Sequence, residues 1–380
     1  MHLLALIAGL FMIAVILLDA FETIVLPRRV QRSFRLTAWF YRNTWIPWSK
    51  FAARIRSASR REAYLGYFGP FSLILLLVLW AAGLILGFAL LQFGAGEHVL
   101  FGTHPITFWG LLYHSGETFF TLGYGDITPV SVAARALSVL EAGMGFAFLG
   151  VVIGYLPVVY SAFNTREIEI SLLDSRAGSP PTATELLLRL GCCPDQEVLD
   201  NTLRNWERWC AGLLAGQISY PVLSFFRSQH SNQSWLSALT VMLDTTSLLL
   251  AGVEGVHTEQ ARLTFAMARH AAVDLAQVMN ARYDAGRALR LPDDQRDQLR
   301  LLLTANGLPL RNDQPANEKL AKLRSLYEPY VQALAERLLF TVPLWMDTET
   351  RKDNWQGGPW DRIIQARSFE RPGEAVKDHF

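Results

Sequence analysis

Thr121-Leu122-Gly123-Tyr124-Gly125-Asp126 is a short stretch set between two long apolar runs. Two glycines separated by one residue let the backbone take angles that a Cβ forbids. An extended main chain there can turn its carbonyls toward one axis, and such a row of oxygens replaces the water shell of a cation. Thr121 adds a hydroxyl oxygen at one end. Tyr124 is expected to point away from the axis and to brace the loop against surrounding helices.

Working outward, the 380-residue chain is 51% apolar with a mean hydropathy of +0.19, so membrane spans are sought first. Leu3 to Leu26, Phe71 to Phe93 and Val130 to Ala162 are each long enough, at about 1.5 Å per residue, to cross an apolar layer of roughly 30 Å. The first run has no Lys or Arg in Met1-His2-Leu3 and ends at Pro27-Arg28-Arg29, which reads as a retained span rather than a signal peptide. Asp19 and Glu22 are expected at its boundary, or paired with the arginines that follow. Thr107 to Phe120 is too short to cross. Bounded by Pro105 and the glycine motif, it predicts a re-entrant helix with Thr107 as N-cap, its C-terminal dipole favouring a cation.

Arg28 to Glu62 holds ten basic residues and a single acid, Glu62, which places this side in the cytoplasm. Trp39, Phe40, Tyr41, Trp45, Trp48 and Phe51 are interleaved with those charges, predicting an interfacial helix that meets anionic lipids. Arg29, Arg32 and Arg35 have the spacing of a voltage sensor. They follow Pro27 in a polar linker, so ordinary positive-inside charge is the reading. Gly94 to Ile106 becomes a short external loop.

The motif at 121–126, with a short helix before it and a span on either side, resembles the selectivity filter of the potassium channel family, Thr-x-Gly-Tyr-Gly-Asp. The resemblance covers about Phe71 to Ala162. It implies that Thr121, Leu122, Gly123 and Tyr124 hold K⁺, that Gly125 completes the filter, and that four copies surround one axis as a homotetramer. In several relatives an acid placed as Glu117 is here contacts the residue corresponding to Asp126; the alternative is that Glu117 only caps local amides. This chain departs from the family in having Phe120 where a small hydroxyl residue is common, and Tyr113 and His114 where aromatic residues brace the filter tyrosine. His114 invites a pH-sensing role, against a single fixed hydrogen bond.

Gly143, Gly145, Gly150 and Gly154 give the third span flexible or close-packing points, and Pro157 is expected to kink it. Gly145 reads equally as hinge or packing surface, and Gly150, Ile153 and Pro157 are further gate candidates. Phe146, Leu149 and Ile153 are candidate lining residues. Arg135 is expected near the outer boundary, and Glu141 at a buried partner rather than in the conduction path.

From Asn164 the chain becomes charged. Gly178-Ser179-Pro180-Pro181 marks a linker and Thr182-Ala183-Thr184-Glu185 a capping box. Leu199, Leu203, Trp206, Cys210 and Leu213 form one helical face. Helical patterns follow over 235–251, 259–285, 294–304 and 318–339, the last interrupted by Pro329, and residues 347–380 are polar. Cys192, Cys193 and Cys210 give no disulfide framework. No glycine-rich dinucleotide turn, metal-ligand cluster or nucleophile–base pair is legible in the tail, and His257 and His270 read as structural.

The expected fold is therefore an all-α membrane protein: three transmembrane helices, a re-entrant pore helix and filter, then a helical cytoplasmic domain. The segments are 1–27, an N-terminal span; 28–62, a basic aromatic linker; 63–162, the pore domain; and 163–380, a regulatory or assembly domain. The expected function is passive, potassium-selective conduction in a plasma membrane, with the N-terminus outside. It involves no enzymatic step, no cofactor beyond the permeant K⁺ and no nucleic acid, and the tail's ligand is left open. A membrane-anchored scaffold and a potassium uptake transporter subunit are the rivals.

Overall fold

The computed structural model describes residues 2–26, 35–95, 99–101, 104–105, 107–190, 196–230, 232–284, 286–287 and 289–346. Arg28, Arg29 and Arg32, Glu97 and His98, Cys192 and Cys193, and the polar end from Asp347 lie outside the described residues. The chain divides into two compact units, one of Met1–Thr165 with Leu214–Arg227, the other of Arg166–Leu213 with Ser228–Phe380.

The first unit opens with α1 (His2–Ala20), which passes into a π turn at Phe21–Val25. Helices α2 (Leu36–Ala53), α3 (Ala58–Gly66) and α4 (Phe68–Gly94) follow. Short strands β1 (Val99–Phe101) and β2 (His104–Pro105) lead to α5 (Phe108–Phe119), and β3 (Thr128–Pro129) to α6 (Val132–Ala177). The strands form one antiparallel sheet in the order β2-β1-β3, with Val99 opposite Pro129 and Phe101 opposite His104. Helices α1, α4 (which the charged α3 runs into) and α6 are long and apolar enough to cross a membrane. The protein is a multi-pass, all-α membrane protein with a helical C-terminal region.

Helices α1 and α4 pack antiparallel with their backbones touching. A Cβ on Gly9 would lie 2.6 Å from the Gly87 carbonyl oxygen, and one on Gly87 would lie 2.7 Å from Ile13 Cγ1. Apolar helices in lipid gain little from hiding apolar surface, so this close approach supplies the dispersion contact that holds them together.

Asp19 is fully buried and, among the described residues, bonds to Thr37 and Trp80, not to an arginine. Its carboxylate accepts the Thr37 amide (3.1 and 3.2 Å), the Thr37 hydroxyl (2.5 Å) and the Trp80 indole N–H (3.1 Å). Thr37 lies in the first turn of α2, where backbone amides have no intrahelical acceptor and the helix dipole favours negative charge. Asp19 thus caps a helix from another part of the chain. Glu22 does pair with a following arginine, Arg35, at 3.7 Å.

The aromatic face of α2 differs from the lipid-facing expectation. Phe40, Tyr41 and Trp45 are buried, and the Trp45 ring lies 4.8 Å from that of Phe68. Trp39 and Phe51 remain exposed. Residues spaced for one helical face pack into the unit, leaving the other face free. Ser131 caps α6 by accepting the Ala134 amide at 3.1 Å. Beyond the expected end at Ala162, α6 runs on to Ala177 without a break at Pro157. The shift to polar composition at Asn164 changes what surrounds the helix, not the helix.

The second unit contains the end of α6, then α7 (Ala183–Leu190), most of α8 (Gln196–Ser219), α9 (Trp235–Gly252), α10 (Glu259–Val278), α11 (Asp293–Ala305), α12 (Gln314–Ser325) and α13 (Glu328–Leu338). Thr182 caps α7 through the Glu185 amide (3.1 Å), and Leu199, Leu203, Trp206, Cys210 and Leu213 are all buried. Burial pushes the Cys210 thiol well up, so it is an unreactive core group. Pro329 lies in the first turn of α13, where its missing N–H costs nothing, and so separates two helices. His257 lies in the turn before α10, and His270 pairs with Asp274 at 3.4 Å.

Helix α9 is also long and apolar enough to span, but 94% of its apolar window is buried within the protein, against 11% for α6. It is the core of its unit, packed by α7, α10, α12 and α13. Buried Thr240, Thr246 and Ser247 bond back to the preceding turn, as Thr246 does to the Met242 carbonyl (2.6 Å). Buried Asp244 accepts from Arg290 and from the Tyr327 hydroxyl, each at 2.5 Å. Arg290 and Arg324 lie 5.6 and 5.5 Å from the centre of the Trp345 ring. Glu328 accepts from Arg324 (3.1 Å) and from the Arg290 amide (2.9 Å).

Two predictions follow from these buried carboxylates. Replacing Asp19→Ala leaves two buried N–H groups without acceptors, at about 1–3 kcal/mol each. Thermal unfolding in detergent should show a drop of at least about 2 kcal/mol, with Asp19→Asn falling between, and an unchanged Asp19→Ala midpoint contradicts the capping role. Burial raises Asp244 to about 6 from the ordinary 3.8, opposed by Arg290. Its contribution to stability is then complete below 3.8 and is lost as pH rises through about 6. Subtracting the unfolding profile of Asp244→Asn from wild type should isolate a pH dependence in that window; a flat difference counts against it.

Candidate pore site

Helix α5 starts where the sequence predicts: the Thr107 hydroxyl accepts the Gly110 amide at 3.4 Å. It ends in a paired turn. The Leu122 amide reaches back to the Glu117 carbonyl (2.8 Å) and the Thr121 amide to the Thr118 carbonyl (3.0 Å). This is the Schellman pattern, and it needs one residue in the left-handed region. Glycine usually fills that place, but here it is Thr121, at φ 56°. A β-branched residue is rare there and costs on the order of 1–3 kcal/mol, so the surrounding packing imposes it.

From that turn the main chain leaves the helix as an irregular segment. Gly123 and Gly125 have φ of 63° and 76°, angles open to glycine alone at little cost. All of Thr121–Asp126 is exposed, with Leu122 at 54% and Tyr124 at 69%, although Phe119 and Ile127 on either side are buried. Among the described residues, no main-chain hydrogen bond is accepted by a carbonyl of 121–125. The far end is anchored. Ile127 packs with Leu111, Ala134 and Phe93, and Asp126 accepts the Ile127 amide at 3.1 Å.

The residues behind the loop divide into two sets. Tyr113 lies near Asp126, with Tyr124 and Glu117 also close by. His114 turns the other way and is buried. Its Nδ1 meets Glu117 at 3.2 Å and its Nε2 meets Ser138 of α6 at 3.2 Å. The second Glu117 oxygen has no hydrogen-bond partner among the described residues.

Glu141 lies one turn along α6 from Ser138 and is fully buried, as the reading of a buried partner requires. It accepts from the Ser115 hydroxyl of α5 and from Gln92 Nε2 of α4 (3.3 Å). Ser115 also donates to the Ile85 carbonyl at 2.7 Å. Ser115, Gln92 and Ser138 escaped the sequence reading. Their signal was a polar residue isolated in an apolar helix, which has to find a partner in the membrane.

One turn further, a Cβ on Gly145 would overlap the Phe119 carbonyl, whereas Gly143, Gly150 and Gly154 face open space. Gly145 is a point of backbone contact between α6 and the end of α5, within a helix that is continuous there. Arg135 is pinned by the Pro129 carbonyl at 3.2 Å. Phe146, Leu149 and Ile153 are exposed, with Ile153 at 65%, and Pro157 also lies on the open side.

Comparison with known proteins agrees with this geometry. Residues 73–161 match the protein-family model described as "Ion channel". That stretch comprises most of α4, α5, the exposed loop and the first part of α6, and the match supports an ion channel pore domain there. The chain is 26% identical over 188 residues to the uncharacterized membrane protein YdjJ of Bacillus subtilis (strain 168), covering 49% of this chain and 54% of that protein. It is 33% identical over 87 residues to Protein LctB of Geobacillus stearothermophilus, covering 20% of this chain and 64% of that one. The chain thus spans between half and two thirds of the length of these relatives. No solved structure matches.

The contact at Gly145 generates a paired prediction. Gly145→Ala inserts a methyl group into backbone and should cost about 3 kcal/mol or more, while Gly150→Ala should stay within about 0.5 kcal/mol. Detergent-extracted yield and unfolding midpoint measure both. Equal behaviour of the two variants contradicts the close-contact role.

Proposed function

We propose that this ion channel is selective for potassium, with four copies placing their Thr121–Gly125 segments around one axis. The observation that carries the reading is the exposed loop itself: among the described residues its carbonyls accept no main-chain hydrogen bond, and both glycines hold left-handed angles. An apolar loop with unpaired backbone does not face lipid. It becomes stable when its oxygens meet a dehydrated cation, and one chain supplies a quarter of such a ring. Thr121, Leu122, Gly123 and Tyr124 provide the oxygens, and Gly125 lets the chain leave the ring.

The supporting residues have separate tasks in this reading. Tyr113 and Asp126 steady the outer end of the loop, and His114 and Glu117 steady the pore helix behind it. The C-terminal end of α5 points its partial negative charge toward the cation path. Phe146, Leu149, Gly150, Ile153 and Pro157 face the axis below the ring, where an apolar constriction can gate by excluding water. Gly145 serves as a packing point, so bending of α6 is left to Gly150 and Pro157. The basic linker sets the cytoplasmic side, with the N-terminus outside, α1, α4 and α6 crossing the plasma membrane, and the C-terminal unit inside as a regulator of gating. The arginines of the linker meet anionic lipid headgroups.

Liposomes holding the purified chain test the proposal. Potassium should flow down its gradient without an energy source, preferred over sodium by roughly a hundredfold or more, and Gly123→Ala should abolish the flux while the oligomer persists. Flux that needs ATP or an ion gradient of another kind supports the uptake transporter. No flux at all supports the scaffold.

A further inference from the structure

The first unit contains one segment that comes from far along the chain. Residues 214–227 interrupt the second unit in sequence, after α7 and most of α8 and before α9, yet they belong to the membrane unit. Helix α8 begins among the residues of the second unit and ends here at Ser219. Pro221 then starts a single 3₁₀ turn, Pro221–Phe225.

The side chains of this segment reach four helices. The Phe225 ring stacks on Tyr41 of α2 (5.5 Å between centres, 11° between planes) and lies 5.0 Å from Trp45 and 5.2 Å from Phe68 of α4. Phe226 covers Gly69 of α4, where a Cβ would sit 2.5 Å from its ring. The same ring lies 6.0 Å from Tyr160 and 5.5 Å from Phe163 of α6. Tyr220 meets Tyr155 of α6 edge-on at 5.8 Å. Arg227 pairs with Glu62 of α3 at 3.5 Å. Val222 through Phe226 are all buried.

These contacts fall in two groups with different mechanical meaning. Tyr41, Trp45, Glu62, Phe68 and Gly69 belong to the outer frame of the unit. Tyr155 lies between Ile153 and Pro157 on the inner helix, and Tyr160 and Phe163 lie beyond Pro157, in the part that has to move if the apolar constriction is to widen. Three aromatic contacts hold the segment to the frame and three hold it to the inner helix, each adding attraction beyond its buried area. A packed seam of this kind has discrete arrangements rather than a continuous range.

We infer that Tyr220–Arg227 is a strap by which the C-terminal unit controls the pore, tying the lower inner helix to the outer frame. The inference rests on the conduction reading. Whatever displaces α8 pulls on Tyr220, and through the strap shifts Tyr155, Tyr160 and Phe163 relative to Phe68 and Trp45. Gly69 is the notch that lets the strap seat.

The test uses the full chain with Cys192→Ser, Cys193→Ser and Cys210→Ala as background, adding Tyr155→Cys and Tyr220→Cys. A bifunctional maleimide should join the two new thiols, which replace rings 5.8 Å apart between centres. Potassium flux from liposomes should then differ by about tenfold or more between the joined and the unjoined protein, with the preference over sodium unchanged. A joined pair that leaves flux unaltered overturns the strap. Phe226→Ala and Gly69→Val, far from the filter, should each unseat it and change flux by about tenfold in the same direction as one another; wild-type flux in both overturns it. If the unaltered chain carries no flux, the conduction reading falls separately. The strap is then judged on maleimide labelling of Phe163→Cys, which Gly69→Val should accelerate about tenfold, an unchanged rate overturning it.

Discussion

Backbone carbonyls that accept no main-chain hydrogen bond among the described residues are the constraint on which the pore unit depends. In water such groups are harmless; in an apolar layer each unmatched one costs several kcal/mol. The segment 121–125 therefore has to be held open by its neighbours until something outside the chain meets it. The hold begins in the backbone, where the turn after α5 forces Thr121 into an angle that suits glycine better. It ends at Ile127, buried among Leu111, Ala134 and Phe93.

Behind the loop, α6 meets α5 along a single stripe. Ser138 touches His114, Glu141 touches Ser115, and Gly145 touches the Phe119 backbone. Steps of three and four residues keep these positions on one helical face. Two of the three contacts are hydrogen bonds between polar groups with few other partners at that depth. The third is steric, and it lies two residues from Thr121. Movement of the upper inner helix is thus felt directly at the base of the loop, while Tyr155 to Phe163 lie beyond this stripe and answer to different contacts.

Much of this was legible in the sequence because it is local. The glycine spacing, the Thr107 cap, the lengths of the apolar runs, the Thr182 cap and the face of α8 each depend on residues a few positions apart. What was not legible depends on partners far away. Asp19 looks like a boundary residue until Thr37 and Trp80 are brought to it, and the aromatic residues of α2 look lipid-facing until Phe68 and Phe225 cover half of them. Pro329 reads as an interruption until the helix is seen to start at that point. The end of α6 was misjudged because polar composition marks a change of surroundings, and helix propensity carries through it. Phe225 and Phe226 gave no periodic signal at all, since a single 3₁₀ turn is too short to have one.

Asp19 also dictates an order of events at the ribosome. Its indole partner, Trp80, is made 61 residues later, and Thr37 comes 18 residues later. While α1 emerges, the carboxylate has neither, and an unmatched charge resists entry into the apolar layer. The first helix consequently has reason to linger at the water boundary, its charge hydrated, until α4 has been synthesised and inserted beside it. The pairing of Gly9 with Gly87 then closes in the same step, so the N-terminal helix joins the bundle as a latecomer despite being translated first.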